Sequence, residues 1–343
     1  MQTPTPHQLT NARHVIDLIC GGWTTQVIGT AVRLGLADLM AAGKDDIVSL
    51  AAAINCPERA LQRLLHGLSA LGMVDSDDSG RFTLTETGEL LRSDTSFNVH
   101  GHALWWSQHT WDLWRDLYGS VRTGRSVRNR TRDQQGFEHL QDAGTAATFH
   151  RYMVEQTQLI AAHCAACVAI PTKGFVLDVG GGSGTLLCAL LRAHPALRGA
   201  VLDLAHAEQG ARTYFQTVGL EVRASWITGD FFTPIAAKAD VVVLKSILHD
   251  WDDEHAARIL GNAHGALLPK GAVYIIERVL QGGVNDPARF IRAARSDLNM
   301  LVSLGGRERS LEEYRALLSS AQLQLEDVIE LPDAYSLLIS RQA

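Results

Sequence analysis

The sequence predicts an α/β fold on a mostly parallel sheet, preceded by a mostly α-helical domain that closes with a winged-helix hairpin. Three observations carry this. From residue 171 onward, short apolar strands alternate with amphipathic helices, the pattern of a parallel sheet covered on both faces. Before residue 95, apolar residues recur at helical spacing and give way to one alternating hairpin. The chain has 343 residues, 46% hydrophobic and 20% charged, enough to bury a sizeable core and too long for one ordinary domain.

Residues 10–95 form the first domain. Helical periodicity runs through Val15 to Ile19, Val27 to Met40, Ile47 to Ala53 and Ala60 to Leu71, and Gly72 ends the last helix. Met73-Val74, a polar turn at 75–80, and the alternating Arg81 to Thr85 then make the wing. A winged helix invites a DNA-binding reading. The recognition helix, however, offers only Arg59 and Arg63 against Glu58, and Asp75, Asp77 and Asp78 on the wing would repel phosphate. A net charge of −6 points the same way, so no nucleic acid is expected and a dimerisation or lid role is preferred.

The second region, 96–170, is helical. Trp105, Trp106, Trp111 and Trp114 cluster there, either as plain core or as pocket lining. Arg122, Arg125, Arg128, Arg130 and Arg132 follow with no acid among them, read as a solvated loop or as a guide for an anionic substrate. Five cysteines in a chain of this size make no disulfide framework and are expected to be thiols; Cys164 and Cys167 have redox spacing but lack a strand to present them, so they are expected to be small core residues. No stretch approaches the roughly 18 uninterrupted apolar residues of a membrane span. With Asp17 inside the most apolar N-terminal part, neither a span nor a signal is expected, and the location expected is cytoplasmic. A hinge is expected near Thr157 to Thr172.

In the third region, 171–343, the expected strands are Gly174 to Val179, Gly199 to Asp203, Glu221 to Thr228, Ala239 to Lys245 and Ala272 to Glu277. A final antiparallel pair follows at Gln322 to Glu330 and Ala334 to Ser340. The first strand runs through Asp178 into Gly180-Gly181-Gly182-Ser183-Gly184 and a helix. A loop without side chains lets the backbone approach a ligand at the carboxyl edge of the sheet, where the helix start offers free N–H donors. The dinucleotide spacing G-x-G-x-x-G is not met, because Thr185 and Leu187 stand where its last glycine should.

What the loop does match is Asp-x-Gly-x-Gly-x-Gly, carried by Asp178, Gly180, Gly182 and Gly184. It resembles the loop of S-adenosylmethionine-dependent methyltransferases, which implies a Rossmann-like class I methyltransferase sheet with a terminal antiparallel strand. Asp203 ends the second strand, where an adenosine ribose needs a carboxylate acceptor. Asp230 and Phe231 end the third, where the acid could accept from an adenine amino group and the ring could cover the base. The alternative for Asp230 is a helix cap, but three acids at three successive strand ends are not expected to be all caps.

The fourth strand enters Leu244-Lys245-Ser246-Ile247-Leu248-His249-Asp250-Trp251, which closely resembles the motif of the aromatic O-methyltransferases of the caffeate, hydroxyindole and bacterial polyketide or phenazine type. Gly305-Gly306-Arg307-Glu308-Arg309-Ser310 resembles a second family motif, and the resemblance spans nearly the whole chain. It implies His249 as general base with Glu277 and Glu308 flanking its imidazole. A histidine of pKa ~6.5 is largely neutral at neutral pH and can take a phenol proton. Asp250, Asp252, Asp253 and Glu254 could suggest magnesium. As near-consecutive residues at a helix start they point apart and complement the helix dipole, so no metal is expected.

The resemblance further implies Phe149 beside cofactor and Met153 beside acceptor, Lys245 near the cofactor's adenine end, and Asp297, Asn299 and Met300 along the acceptor pocket. It also implies a homodimer whose first domain closes over the partner's pocket, with S-adenosylmethionine as methyl donor and S-adenosylhomocysteine as product. The acceptor would be a small aromatic hydroxyl compound, anionic if the arginines lie near the pocket. The rival readings are an N-methyltransferase on a similar acceptor and a regulator that kept the fold and lost the chemistry.

Overall fold

The structure, a computed structural model, describes residues 3–132, 137–168, 170, 173–281 and 286–343. The chain divides into two compact units, Met1–Asp112 and Leu113–Ala343, a division that falls inside the helical stretch 96–170.

In the first unit the helix Pro6–Cys20 starts from a capping box. Thr5 Oγ1 accepts from the Gln8 N–H at 3.2 Å, and Gln8 Oε1 accepts from the Thr5 N–H at 2.8 Å. That helix buries no residue, and Leu9, Val15, Ile16, Leu18 and Ile19 stand exposed on it. With the next helix, Gly22–Arg33, it makes a 28-residue run long and apolar enough to cross a membrane, and 17% of its apolar 18-residue stretch is buried. No span is expected from the sequence, because Asp17 lies inside its most apolar part.

The helices Leu36–Ala41, Ile47–Ile54 and Glu58–Ala70 then pack against a hairpin of β1 (Val74–Ser76) and β2 (Phe82–Leu84). Leu36, Leu50, Leu61, Leu65, Leu68, Val74 and Phe82 form their shared core, each worth roughly 1.5–3 kcal/mol when fully buried. The wing acids have a local job in part: Asp77 Oδ1 accepts from the Ser79 and Arg81 N–H groups at 2.9 Å and knits the turn. Of the four clustered tryptophans, three belong to this unit. Trp105 is buried in a π-helical turn, Trp105–Thr110, and stacks on His109 at 4.8 Å. Trp111 packs on Gly22 so closely that a Cβ there would lie 2.7 Å from its ring.

The second unit holds a seven-stranded sheet of β3 (Phe175–Val179), β4 (Arg198–Asp203), β5 (Ala224–Thr228), β6 (Ala239–Lys245), β7 (Leu267–Arg278), β8 (Leu323–Glu330) and β9 (Tyr335–Gln342). Their order is β5-β4-β3-β6-β7-β9-β8, and every pairing is parallel except those made by β9. The chain-terminal strand is therefore antiparallel but inserts between β7 and β8. Alternate residues feed two cores. Val176, Val201, Val241, Val243 and Ile276 pack against the helices Ala143–Cys167 and Thr185–Ala193, while Leu177, Val179, Leu202, Val242 and Leu244 pack against Asp253–Gly265 and Leu311–Ser320.

Three sequence expectations in this unit meet their geometry. Cys164 is buried in the first core, as a small core residue should be, and its thiol is pushed up to about 12 by burial, whereas Cys167 is exposed and so is not the core residue it was expected to be. The arginine segment is no plain loop, since it lies largely on the helices Leu117–Thr123 and Val127–Arg132. Arg128 is buried and donates to Ser303 O at 3.3 Å, and Arg130 pairs with Asp116 at 2.7 Å. The expected hinge begins inside the continuous helix Ala143–Cys167, and its residues 169, 171 and 172 lie outside the described ones.

Candidate active site

Register brings the strand ends together. Val179 pairs with both Leu202 and Leu244, Asp203 with Thr228, and Lys245 with Ile276, so the segments that follow β3 to β7 emerge at one edge of the sheet. Gly180 and Gly182 turn the chain there with φ of +70° and +55°. A Cβ on Gly180 would lie 2.4 Å from Ile247, but one on Gly182 would meet nothing within 4 Å. The loop is thus packed below and open above.

Asp203 grips this loop. Its Oδ2 accepts from the Gly182 N–H at 2.9 Å and its Oδ1 from the Leu204 N–H at 2.7 Å, and each oxygen keeps a lone pair for a ribose hydroxyl. Asp178 is buried beneath, its Oδ2 without a hydrogen-bond partner, and burial pushes its pKa up to about 7. Asp230 Oδ1 accepts from the Phe232 N–H at 2.8 Å in a turn that starts no helix, so the helix-cap alternative does not apply. Phe231 lies beside Gly180 and packs edge-on against Phe232 and Trp251 at 5.0 and 6.2 Å. An adenosine with a polar edge and a flat face fits this donor set.

Lys245 is buried. Its Nζ donates to Ser246 Oγ at 3.2 Å and stands 5.5 Å from the Tyr335 ring. Phe149 joins an aromatic cluster with Phe137 and Tyr152 at 6.0 and 6.4 Å. Met153, half-buried, follows one turn later on the same helix face. The intervening His150 faces His206, just past Asp203, at 5.9 Å.

The turn after β6 carries His249, which is 7% exposed. Its Nδ1 lies 2.9 Å from Glu308 Oε1 and 3.5 Å from Glu277 Oε2. A carboxylate can only accept, so Nδ1 carries the proton and Nε2 has the lone pair of the neutral ring. Glu277, fully buried on β7, accepts at Oε1 from the Ile247 and Leu248 N–H groups at 2.9 and 2.8 Å. Glu308 Oε1 also accepts from Ser296 Oγ at 2.6 Å, and its N–H donates to Asp297 Oδ1 at 2.9 Å. Arg309, fully buried, donates to Leu248 O at 2.7 Å and Trp251 O at 2.8 Å, clamping both ends of the turn.

Two expectations change. Asp250 is not a helix-dipole residue: its side chain is buried, with Oδ1 3.4 Å from His249 Nε2, and burial pushes its pKa up to about 7. Asp252 caps the helix Asp253–Gly265, and Asp253 pairs with Arg307 and Arg309, so these acids do point apart. Nor is His249 a histidine of ordinary pKa. Burial alone would lower it, but Glu277, Glu308 and Asp250 together reverse that and hold it well above the usual value. Burial raises Glu308 too, yet the contact with His249 carries it below the normal range, while burial keeps Glu277 raised. The protons belong to the cluster. Nδ1 and the two carboxylates lie within 4.8 Å of one another, a spacing that a divalent ion could also use.

On the helix Pro287–Ser303, Asp297 holds the Glu308 backbone and Asn299 Oδ1 accepts from Trp114 Nε1 at 3.1 Å, while Met300 is buried. Ser296 and Arg309 are site residues for which the sequence named no role, and Asp250 is one whose role it misplaced. Ser296 had one signal, its place one residue before Asp297 in the pocket motif.

The family model of the O-methyltransferase domain matches residues 114–324, and that of the O-methyltransferase dimerisation domain matches residues 16–94. The chain is 30% identical to the phenazine O-methyltransferase PhzM of Lysobacter antibioticus, over 95% of each chain. It is 35% identical to the 3-amino-4-hydroxybenzoate 4-O-methyltransferase of Streptomyces cremeus, over 94% of this chain and 88% of that one. Among solved structures, LaPhzM superposes with a TM-score of 0.91 at 30% identity, covering 97% of this chain and 99% of that one. The neocarzinostatin-pathway O-methyltransferase NcsB1, crystallised with S-adenosylmethionine and 2-hydroxy-5-methyl naphthoic acid, superposes with a TM-score of 0.77 at 33% identity over 93% of this chain and 96% of its own.

Proposed function

This chain belongs to the family of S-adenosylmethionine-dependent O-methyltransferases that carry an N-terminal dimerisation domain, and on that premise we propose that it methylates a hydroxyl of a small, planar aromatic secondary metabolite, with His249 as general base. The observation that carries the base assignment is the 2.9 Å contact of His249 Nδ1 with the buried Glu308, which leaves Nε2 to take the proton.

The bound cofactor supplies a methyl group on a sulfonium, already a strong electrophile, so the chain's own residues have to bind, align and deprotonate. The glycine loop at 180–184, with Asp178 below it and Asp203 across it, would hold the cofactor. Asp230, Phe231, Lys245 and Phe149 would complete that site, and Met153, Asp297, Asn299 and Met300 would line the acceptor pocket. An acceptor hydroxyl would donate to His249 Nε2 and lose its proton there as oxygen attacks. Glu308 and Glu277 stabilise the resulting imidazolium. Their effect raises the basicity of His249 toward that of a phenolate, whose conjugate acid has a pKa of ~10, and so narrows the cost of the transfer. At rest the ring keeps its proton, so a turnover-competent enzyme forms as the pH rises through that raised pKa.

No metal enters this reading. A homodimer in the cytoplasm is part of it, supported by the dimerisation match over 16–94 and by the exposed apolar residues of Pro6–Cys20. An acceptor bearing a carboxylate is the finer form, supported by the hydroxybenzoate and naphthoic acid of the relatives and by the exposed Arg122 and Arg125.

The test is transfer of labelled methyl from S-adenosylmethionine, with a chelator present, to a panel of phenols, hydroxybenzoates, hydroxynaphthoates and hydroxyphenazines. H249A should lose ~10²–10⁴ of the rate. Retention of most activity would remove the base role and favour methylation of an amine, which needs little proton removal before attack.

A further inference from the structure

The turn that carries His249 begins with a strained residue. Ser246 directly follows β6 and has φ +53°, the left-handed region that residues other than glycine avoid. Ile247 comes next at φ −116°, ψ −52°. A left-handed residue followed by a right-handed one turns successive amides toward a single point and makes a small anion-binding concavity. Its occupant is Glu277, whose Oε1 accepts from Ile247 and Leu248 at 2.9 and 2.8 Å. With Oε1 so held, Oε2 is the oxygen left facing His249 Nδ1 at 3.5 Å.

Ser246 is itself gripped. Its N–H donates to Ile276 O at 3.0 Å, and its Oγ lies 3.1 Å from the Tyr335 hydroxyl and 3.2 Å from Lys245 Nζ. Tyr335, the first residue of β9, is 2% exposed. Arg278 and Lys245 stand 4.1 and 5.5 Å from its ring centroid, which leaves the hydroxyl little freedom. The insertion of β9 beside β7 is what brings this phenol under the turn, since Tyr335 pairs with Arg278 and Ser336 with Glu277.

We propose that Tyr335 is a positioning residue: through Ser246 Oγ its hydroxyl holds the left-handed turn that aims Glu277 at His249. This rests on His249 as the base, but the placement can be measured without turnover, so the two ideas fail separately. The readout is the pH at which the His249 ring loses its proton, followed by NMR in the full-length protein labelled with ¹⁵N-histidine, with H249N assigning the signal. Asp250 on the same turn, Glu277 on β7 and Glu308 before the helix Leu311–Ser320 face that ring, with Lys245, Arg309, Tyr314 and Tyr335 around them.

In Y335F the midpoint should fall by about one pH unit, a tenfold loss of proton affinity as Glu277 leaves Nδ1. S246G should titrate like the unmodified protein, because glycine adopts the turn without a clamp. The double variant S246G/Y335F should titrate like S246G. An equal shift from Y335F in both backgrounds, or none in either, overturns the proposal. If thermal melts show Y335F unfolded, S246A removes the Oγ with Tyr335 in place and should give the same fall, and an unchanged midpoint there overturns it as well.

Discussion

Replacing Glu308 by Gln keeps a hydrogen-bond acceptor beside His249 and removes the charge. The pair is 2.9 Å apart with both side chains buried, and a unit charge at that distance in an effective dielectric of ~20 is worth roughly 6 kcal/mol before desolvation. Burial opposes that attraction, and Glu277 at 3.5 Å and Asp250 at 3.4 Å remain, so the net effect falls to the ~1–3 pKa units usual for a neighbouring charge. The acid limb of kcat/KM should therefore move to lower pH by about that amount. The high-pH plateau should drop by up to ~10–10³-fold, since each unit of lost basicity leaves about 1.4 kcal/mol less support for the imidazolium. Rates of labelled methyl transfer from pH 5 to 10, on the acceptor found in the panel, would measure both. A limb that stays in place with an unchanged plateau would refute the claim that Glu308 sets the basicity of His249.

Asp203→Ala should weaken S-adenosylmethionine binding in calorimetric titration ~10–100-fold, because it removes the ribose acceptor and orphans the Gly182 and Leu204 amides. Asp178 ionises near pH 7 in the fold and near ~3.9 unfolded, so the native state binds the extra proton between those values. Its stabilising contribution is present below the unfolded pKa and is lost as pH rises through the folded one. Asp250 has the same sign, and the raised pKa of His249 adds a loss at still higher pH, so the thermal midpoint should fall from pH 5 to pH 9. Asp178→Asn should flatten part of that fall, by roughly 2–4 kcal/mol of unfolding free energy at the alkaline end. A midpoint that rises with pH would contradict these directions.

The strand ends were legible because they are local. Apolar runs ending in an acid or glycine mark where β3, β4 and β5 stop, and each lies in a few adjacent residues, so Asp178, Gly180 to Gly184, Asp203 and Asp230 could be placed without knowing the sheet. The segment from Lys245 to Trp251 is equally local, but the role of His249 as base, like the roles of its partners Glu277 and Glu308, came only from a family resemblance. Those partners lie 28 and 59 residues beyond His249, and nothing in their own neighbourhoods marks them as a pair.

The sequence by itself thus determined the layout of strands and helices, the glycine loop and the segment that carries His249, all consequences of short-range pattern. Tertiary structure alone decided the state of that histidine. Parallel pairing of β6 with β7 sets Lys245 beside Ile276 and delivers Glu277 under the His249 turn. Ser296 then fixes Glu308, and Asp250 turns inward instead of complementing a helix dipole. Charge, burial and distance combine only once these segments meet, so an imidazole that reads as ordinary in sequence becomes strongly basic. The same holds for Tyr335, an ordinary aromatic at a strand start until β9 inserts next to β7 and sets its hydroxyl beneath Ser246.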